Sequence, residues 1–265
     1  MVSAHERRRG GSMSTVRRPC PQCDRGLRDA AMAITTDERG TVSYCHRCGY
    51  TEANNHMTAA GNLVQPKTYR PWVDKAQYLW NHSTALEGSI AATYLQRRGC
   101  RLPCADADLR YLPATGDYPH AMLARITDAI TAEPISLHFT RLNQDGTKAG
   151  DDAKRLLAGH RKAGGVIRLW PDDAVTLGLA ISEGIETALA AAHGFTPIWS
   201  CIDAGNLTAF PVLGGIETLT IVADNDEAGI DAAEQCAQRW ADAGREAIVA
   251  LPSIAGQDAA DLVLI

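Results

Sequence analysis

The 265-residue sequence contains no apolar run long enough to span a bilayer, and its Arg-rich start lacks the apolar stretch of a signal peptide. Both absences point to a soluble, cytoplasmic protein with no membrane partner. Without an export signal, the eight cysteines read as thiols or metal ligands rather than disulfides. No Gly-Lys pair occurs, which excludes a Walker A loop. Positive charge is scarcest in the last third: residues 171–265 hold 2 Lys+Arg against 15 Asp+Glu. Residues 1–60 hold 9 against 6 and residues 61–170 hold 15 against 10, so the net charge of −5 conceals blocks of +3, +5 and −13. A basic front and an acidic end suit a protein that grips a polyanion with one part and does chemistry with another, although ordinary surface charge also explains the counts.

At 45% hydrophobic content the chain can bury a sizeable core. Residues 1–18 are polar and aperiodic, and read as a disordered leader. Cys20-Pro-Gln-Cys23 is followed by Cys45-His-Arg-Cys48, and two such knuckles supply the four thiolates of a tetrahedral zinc site. Between them Ala33–Thr36 and Thr41–Tyr44 flank a turn and read as a hairpin, so residues 19–52 are predicted to be a zinc ribbon with His46 outside the ligand set. Tyr44 and Tyr50 admit two uses, ribbon core or stacking on bases. Residues 53–71 read as a linker.

From Trp72 to Trp170 the chain alternates helical and strand patterns with a basic bias. Ala76, Leu79 and Trp80 share one helical face; Ile90, Ala91, Tyr94 and Leu95 share another, ending at Arg97-Arg98-Gly99. Those arginines fit either nucleic-acid contact or complementation of the helix dipole. Residues 121–126, 134–142 and 165–170 read as strands. The segment between the last two carries Lys154, Arg155, Arg161, Lys162 and then Arg168, interleaved with glycines, a composition suited to phosphate or to a flexible basic loop.

The last part, 171–265, alternates strand and helix and predicts a parallel α/β sheet. Strands are expected at 177–181, 197–201, 219–223 and 246–251, with helices at 185–193, 206–210, 227–243 and 259–264. Cys100, Cys104, Cys201 and Cys236 lack ligand spacing and read as packing residues. Glu183 follows the first strand, Asp224 and Asp226 the third, and ligands of open parallel sheets bind beyond such strand ends. Clustered carboxylates repel one another, and a divalent cation relieves this most simply.

Glu183-Gly184, Asp224-Asn-Asp226 and the later Gln257-Asp258-Ala-Ala-Asp261 resemble the signature motifs of the Toprim domain, shared by bacterial-type primases, topoisomerases, OLD-family nucleases and RecR. Gln257 and Ala260 depart from the trailing motif, which is often written K-D-x-N-D. With a ribbon first and a basic middle region between, the chain resembles DnaG-like primases of bacteria, phages and plasmids. It is most similar to short Toprim primase-like proteins of mobile elements, through Trp80, Tyr94–Gly99, Gly164–Leu169 and Glu183–Leu189. The resemblance implies an α/β chain with N-terminal zinc ribbon, mixed α+β middle region and C-terminal Toprim sheet. It implies primer synthesis from nucleoside triphosphates on single-stranded DNA, with a separate helicase as partner. Glu183, Asp224 and Asp226 would be catalytic, and together with Asp258 would bind Mg²⁺ or Mn²⁺; Cys20, Cys23, Cys45 and Cys48 would bind structural zinc. A Toprim nuclease and a non-catalytic RecR-like recombination mediator are the alternatives.

Overall fold

The computed structural model describes residues 14–22, 30–37, 40–45, 50–55, 72, 75–116 and 118–252. The chain divides into two compact units, Met1–Tyr69 and Arg70–Ile265.

In the first unit, β1 (Ser14–Arg18), β2 (Met32–Asp37), β3 (Gly40–Cys45) and β4 (Thr51–Asn55) form an antiparallel sheet in sequential order. The expected hairpin is β2–β3, with Ala33 opposite Tyr44 and Thr36 opposite Thr41. The outer strands depart from expectation, because Ser14–Arg18 is not part of a structureless leader and Thr51–Asn55 extends the sheet into the linker. Both are polar and gain their conformation from backbone pairing with the hairpin, which leaves no apolar period to read. Cys20, Met32 and Cys45 form a small buried cluster, with Tyr50 packed against it. Cys23, His46 and Cys48 lie outside the described residues.

In the second unit, α1 (Lys75–His82) and α2 (Ile90–Arg97) precede β5 (Leu109–Leu112), β6 (Ala121–Asp128), β7 (Pro134–Arg141), β8 (Lys154–Leu156) and β9 (Gly165–Arg168). Then come β10 (Gly178–Ser182), α3 (Ile185–Ala191), β11 (Ile198–Ser200), α4 (Ala204–Thr208), β12 (Thr218–Val222), α5 (Glu227–Asp242) and β13 (Glu246–Ala250). Among the described residues these nine strands make one sheet, ordered β13-β12-β10-β11-β9-β6-β7-β8, with β5 on β6. The expected parallel sheet is its acidic part alone. β10 to β13 pair in parallel, but β9 joins β11 antiparallel, so the complete sheet is mixed and continuous across the basic and acidic regions.

Helices cover both faces of the parallel part. Ile181, Leu219 and Ile221 pack with Ala233, Cys236 and Trp240 of α5, while Ala180 and Val222 pack with Ile185, Ala188 and Leu189 of α3. Burial on two faces accounts for the continuous apolar runs of β10 and β12. The two helices of the basic region likewise take opposite faces, Ala76 and Leu79 of α1 in one cluster with Leu123 and Leu137, Tyr94 and Leu95 of α2 in another with Met122 and Ala124. No helix among the described residues is long and apolar enough to cross a membrane.

Candidate active site

The parallel strands set the site. β10 lies between β11 and β12, in register so that Ser182 is opposite both Ser200 and Val222. Chain order therefore reverses about β10, the switch point at which open sheets leave a crevice at their carboxyl edge. Glu183 leaves β10 at that edge, Asp224 leaves β12 and Asp203 leaves β11. The local backbone is pinned: Ser200 Oγ donates to the Glu183 carbonyl at 2.9 Å and Ser182 Oγ to the Gly184 carbonyl at 2.9 Å. At the turn after β12, a Cβ on Gly229 would lie 2.5 Å from the Asp224 carbonyl oxygen, so only glycine lets α5 start this close to the strand end.

Each carboxylate has a defined environment. Burial, followed by the negative charges of Asp224, Asp203 and Asp226, pushes the Glu183 carboxyl above its ordinary range. Thr187 Oγ1 donates to Asp224 Oδ1 at 3.3 Å. Asp226 caps α5, its Oδ1 accepting from the Gly229 amide at 2.8 Å, and Asp203 caps α4 by accepting from the Asn206 amide at 2.9 Å. The acids are therefore close enough to sense one another, but among the described residues no three His, Cys, Asp or Glu side chains close on one point. Capping bonds and mutual repulsion splay them along the edge. Asp258 and Asp261 lie outside the described residues.

Asp203 was not singled out by its motif. The available signal was positional: it ends the Trp199-Ser-Cys-Ile run as Glu183 and Asp224 end theirs, and it opens a helix.

The predicted basic residues separate by environment. Lys162 pairs with Asp203 and so stands at the carboxylate edge. Asn206 holds that loop in place, donating to the carbonyls of Lys162 and Gly165 at 3.0 and 3.2 Å. Lys154 Nζ lies 3.0 Å from Glu186, Arg155 pairs with Asp152 at 2.8 Å and Arg161 with Asp128 at 2.8 Å. A cavity of about 390 Å³ opens between β8 and the loop after β11, lined by His138, Lys154, Arg155, Leu156, Ile202 and Asp203. Arg168 is a different case from the other four. It is only 7% exposed, and its guanidinium donates to Thr127 Oγ1, to Asp172 and to the carbonyls of Asp128 and Ala129 while lying 4.5 Å over the Trp199 ring. It ties β9 to the turn after β6, and its guanidinium is engaged by these acceptors because β9 is buried along its whole length.

Residues 178–264 match the Toprim domain family, and residues 72–169 match a family described as a domain of unknown function, DUF7146. The acidic part of the chain is thus a Toprim domain. No curated protein matches the chain in sequence. Among solved structures, the chain is similar to a DNA primase domain from Pseudomonas aeruginosa, with 14% identity, a TM-score of 0.39 and coverage of 70% of this chain and 58% of that one. It is similar to the zinc-binding and RNA polymerase domains of the Aquifex aeolicus primase, with 13% identity, a TM-score of 0.45 and coverage of 95% and 75%. A third likeness is to a chain in the bacteriophage T7 lagging-strand DNA polymerase structure containing the primase domains of two gp4 subunits, with 16% identity, a TM-score of 0.41 and coverage of 68% and 85%.

Proposed function

We propose that the chain is a primase that joins ribonucleotides on single-stranded DNA. The observation that carries this is the placement of Glu183, Asp203 and Asp224 along the carboxyl edge of the parallel strands, with Lys162 paired to Asp203 and Lys154 lining the same cavity as Asp203. Carboxylates alone serve nuclease and polymerase chemistry equally; cations facing them favour a site that receives a free triphosphate as well as a strand.

The oxygen donors of Glu183, Asp224 and Asp226 suit a hard divalent cation, Mg²⁺ or Mn²⁺, with Asp258 as a further ligand. A cation held there would supply activation of the 3′-hydroxyl and neutralisation of charge on the reacting phosphates. Glu183 serves this edge either as a ligand reaching the metal through water or as the general base. Lys162, Arg155 and Arg161 draw template phosphates toward it without reading bases. Cys20, Cys23, Cys45 and Cys48 form the zinc site of an N-terminal ribbon; the thiols of Cys20 and Cys45 sharing one buried cluster fit that arrangement. A separate helicase would supply the single-stranded template.

The test is incubation of the full chain with labelled ribonucleoside triphosphates, Mg²⁺ and single-stranded DNA. Labelled oligoribonucleotides that disappear in Asp224→Ala support the proposal. Shortening of the DNA without incorporation makes the protein a nuclease instead.

A further inference from the structure

Glu186 takes no part in the carboxylate edge, yet among the described residues it is the most deeply buried acid of the Toprim domain. It sits in the first turn of α3 and is 4% exposed. Its Oε1 accepts from Tyr94 Oη of α2 at 2.8 Å and its Oε2 from Lys154 Nζ of β8 at 3.0 Å. Burial opposes its charge, but the Lys154 ammonium and the Tyr94 hydroxyl outweigh burial and hold Glu186 at about 2. An ion pair of this kind adds little to stability compared with well-packed apolar side chains, so its presence calls for another use.

The four cations of the basic segment show what that use is. Arg155, Arg161 and Lys162 pair with carboxylates whose side chains are 85%, 17% and 31% exposed, whereas the partner of Lys154 is 5% exposed. Lys154 alone among them has its position set from the protein interior. Its own side chain remains 47% exposed and lines the cavity that Asp203, at the carboxylate edge, also lines. A lysine on an edge strand normally loses rotamer freedom when it grips a ligand. A lysine already fixed does not, and preorganisation of this kind strengthens binding without adding a contact.

We propose that Glu186 is the positioning residue that holds Lys154 at this cavity as the preset cation for the triphosphate of the incoming nucleotide, with Tyr94 fixing the other carboxylate oxygen. The ligand class rests on the nucleotidyl-transfer function above.

Titration of the full chain with inorganic tripolyphosphate by calorimetry tests this without requiring turnover. Wild type binds; Glu186→Gln, which keeps the shape and loses the charge, weakens binding about tenfold, and Lys154→Met does the same or more. Lys154→Arg recovers most of the affinity, and Tyr94→Phe weakens binding with its melting temperature little changed. If Glu186→Gln is poorly folded, Tyr94→Phe and Lys154→Met carry the test. Absence of binding to wild type, or affinity unaffected by Tyr94→Phe and Lys154→Met, overturns the proposal. So does an equal loss in Arg155→Met, which would mean diffuse charge rather than one placed cation. The two proposals part in Asp224→Asn: it retains tripolyphosphate binding but makes no primer. A wild-type chain that binds tripolyphosphate through Glu186 and Lys154 yet incorporates nothing refutes the primase function alone.

Discussion

Arg168 shows how far a residue's neighbourhood can differ from its sequence context. In the chain it closes a basic, glycine-rich segment; in the fold it is a buried strut with four acceptors and an indole face around it. Replacing it with Met leaves the Ala129 carbonyl and Thr127 Oγ1 without the Arg168 donor, while the Asp128 carbonyl keeps the Ala132 amide, at a cost of ~3 kcal/mol. The expected result is a lower urea midpoint with the salt dependence of the proposed DNA binding unchanged. Lys162→Met should do the reverse, lowering the magnitude of the salt slope by about one and sparing stability. Glu186 is the converse case. The sequence places it in a Glu-Gly-Ile-Glu run without indicating its partners, because Tyr94 and Lys154 are respectively 92 and 32 positions away.

At the scale of elements, the strand-turn-helix units of the acidic part were legible almost throughout. β10, β11, β12 and β13 fall within a residue or two of their expected bounds, since each is an apolar run ended by an acid or a turn. The turn into α5 is the most tightly determined of them. Gly229→Ala places a methyl group against the Asp224 carbonyl, and the expected outcome is loss of activity comparable to Asp224→Ala together with a destabilisation of ~1–3 kcal/mol by urea titration. The strand β8 was not legible. Lys154–Leu156 is exposed at all three positions and exists because β7 offers it an edge, with His138 opposite Leu156 and Thr140 opposite Lys154. Strand β1 was missed for the same reason: its conformation comes from the partner strand and not from its own side chains.

Across the whole second unit, the continuous sheet joins a basic region to an acidic one, and buried titratable groups collect near their junction. His138 lies on β7; burial lowers its imidazole to about 4 from an ordinary 6.5, with the Glu186 charge opposing and the Lys154 charge assisting. The unfolded chain thus takes up a proton that the folded chain refuses. Stability is complete above pH 6.5 and declines as pH falls toward 4, with the His138 contribution reaching ~3 kcal/mol at full protonation. Glu186, held at about 2 against an ordinary 4.5, extends the decline from pH 4.5 downward, because its pairing is lost only when the folded carboxylate is protonated. Urea unfolding between pH 7 and pH 4 should show the first window, and His138→Leu should flatten it.

The sequence alone determined what depends on near neighbours. The β2–β3 hairpin, the apolar strands, the helix that follows each acidic turn and the placement of Glu183 and Asp224 at strand ends all follow from period, turn chemistry and capping within about ten residues. Tertiary structure decided what depends on pairing at a distance. It joined β9 antiparallel to β11, paired Lys162 with Asp203, turned Arg168 inward and matched Lys154 with Glu186. Strand order and helix packing set those neighbours. Residues separated by tens of positions meet only when the sheet closes around them, and no local pattern carries that information.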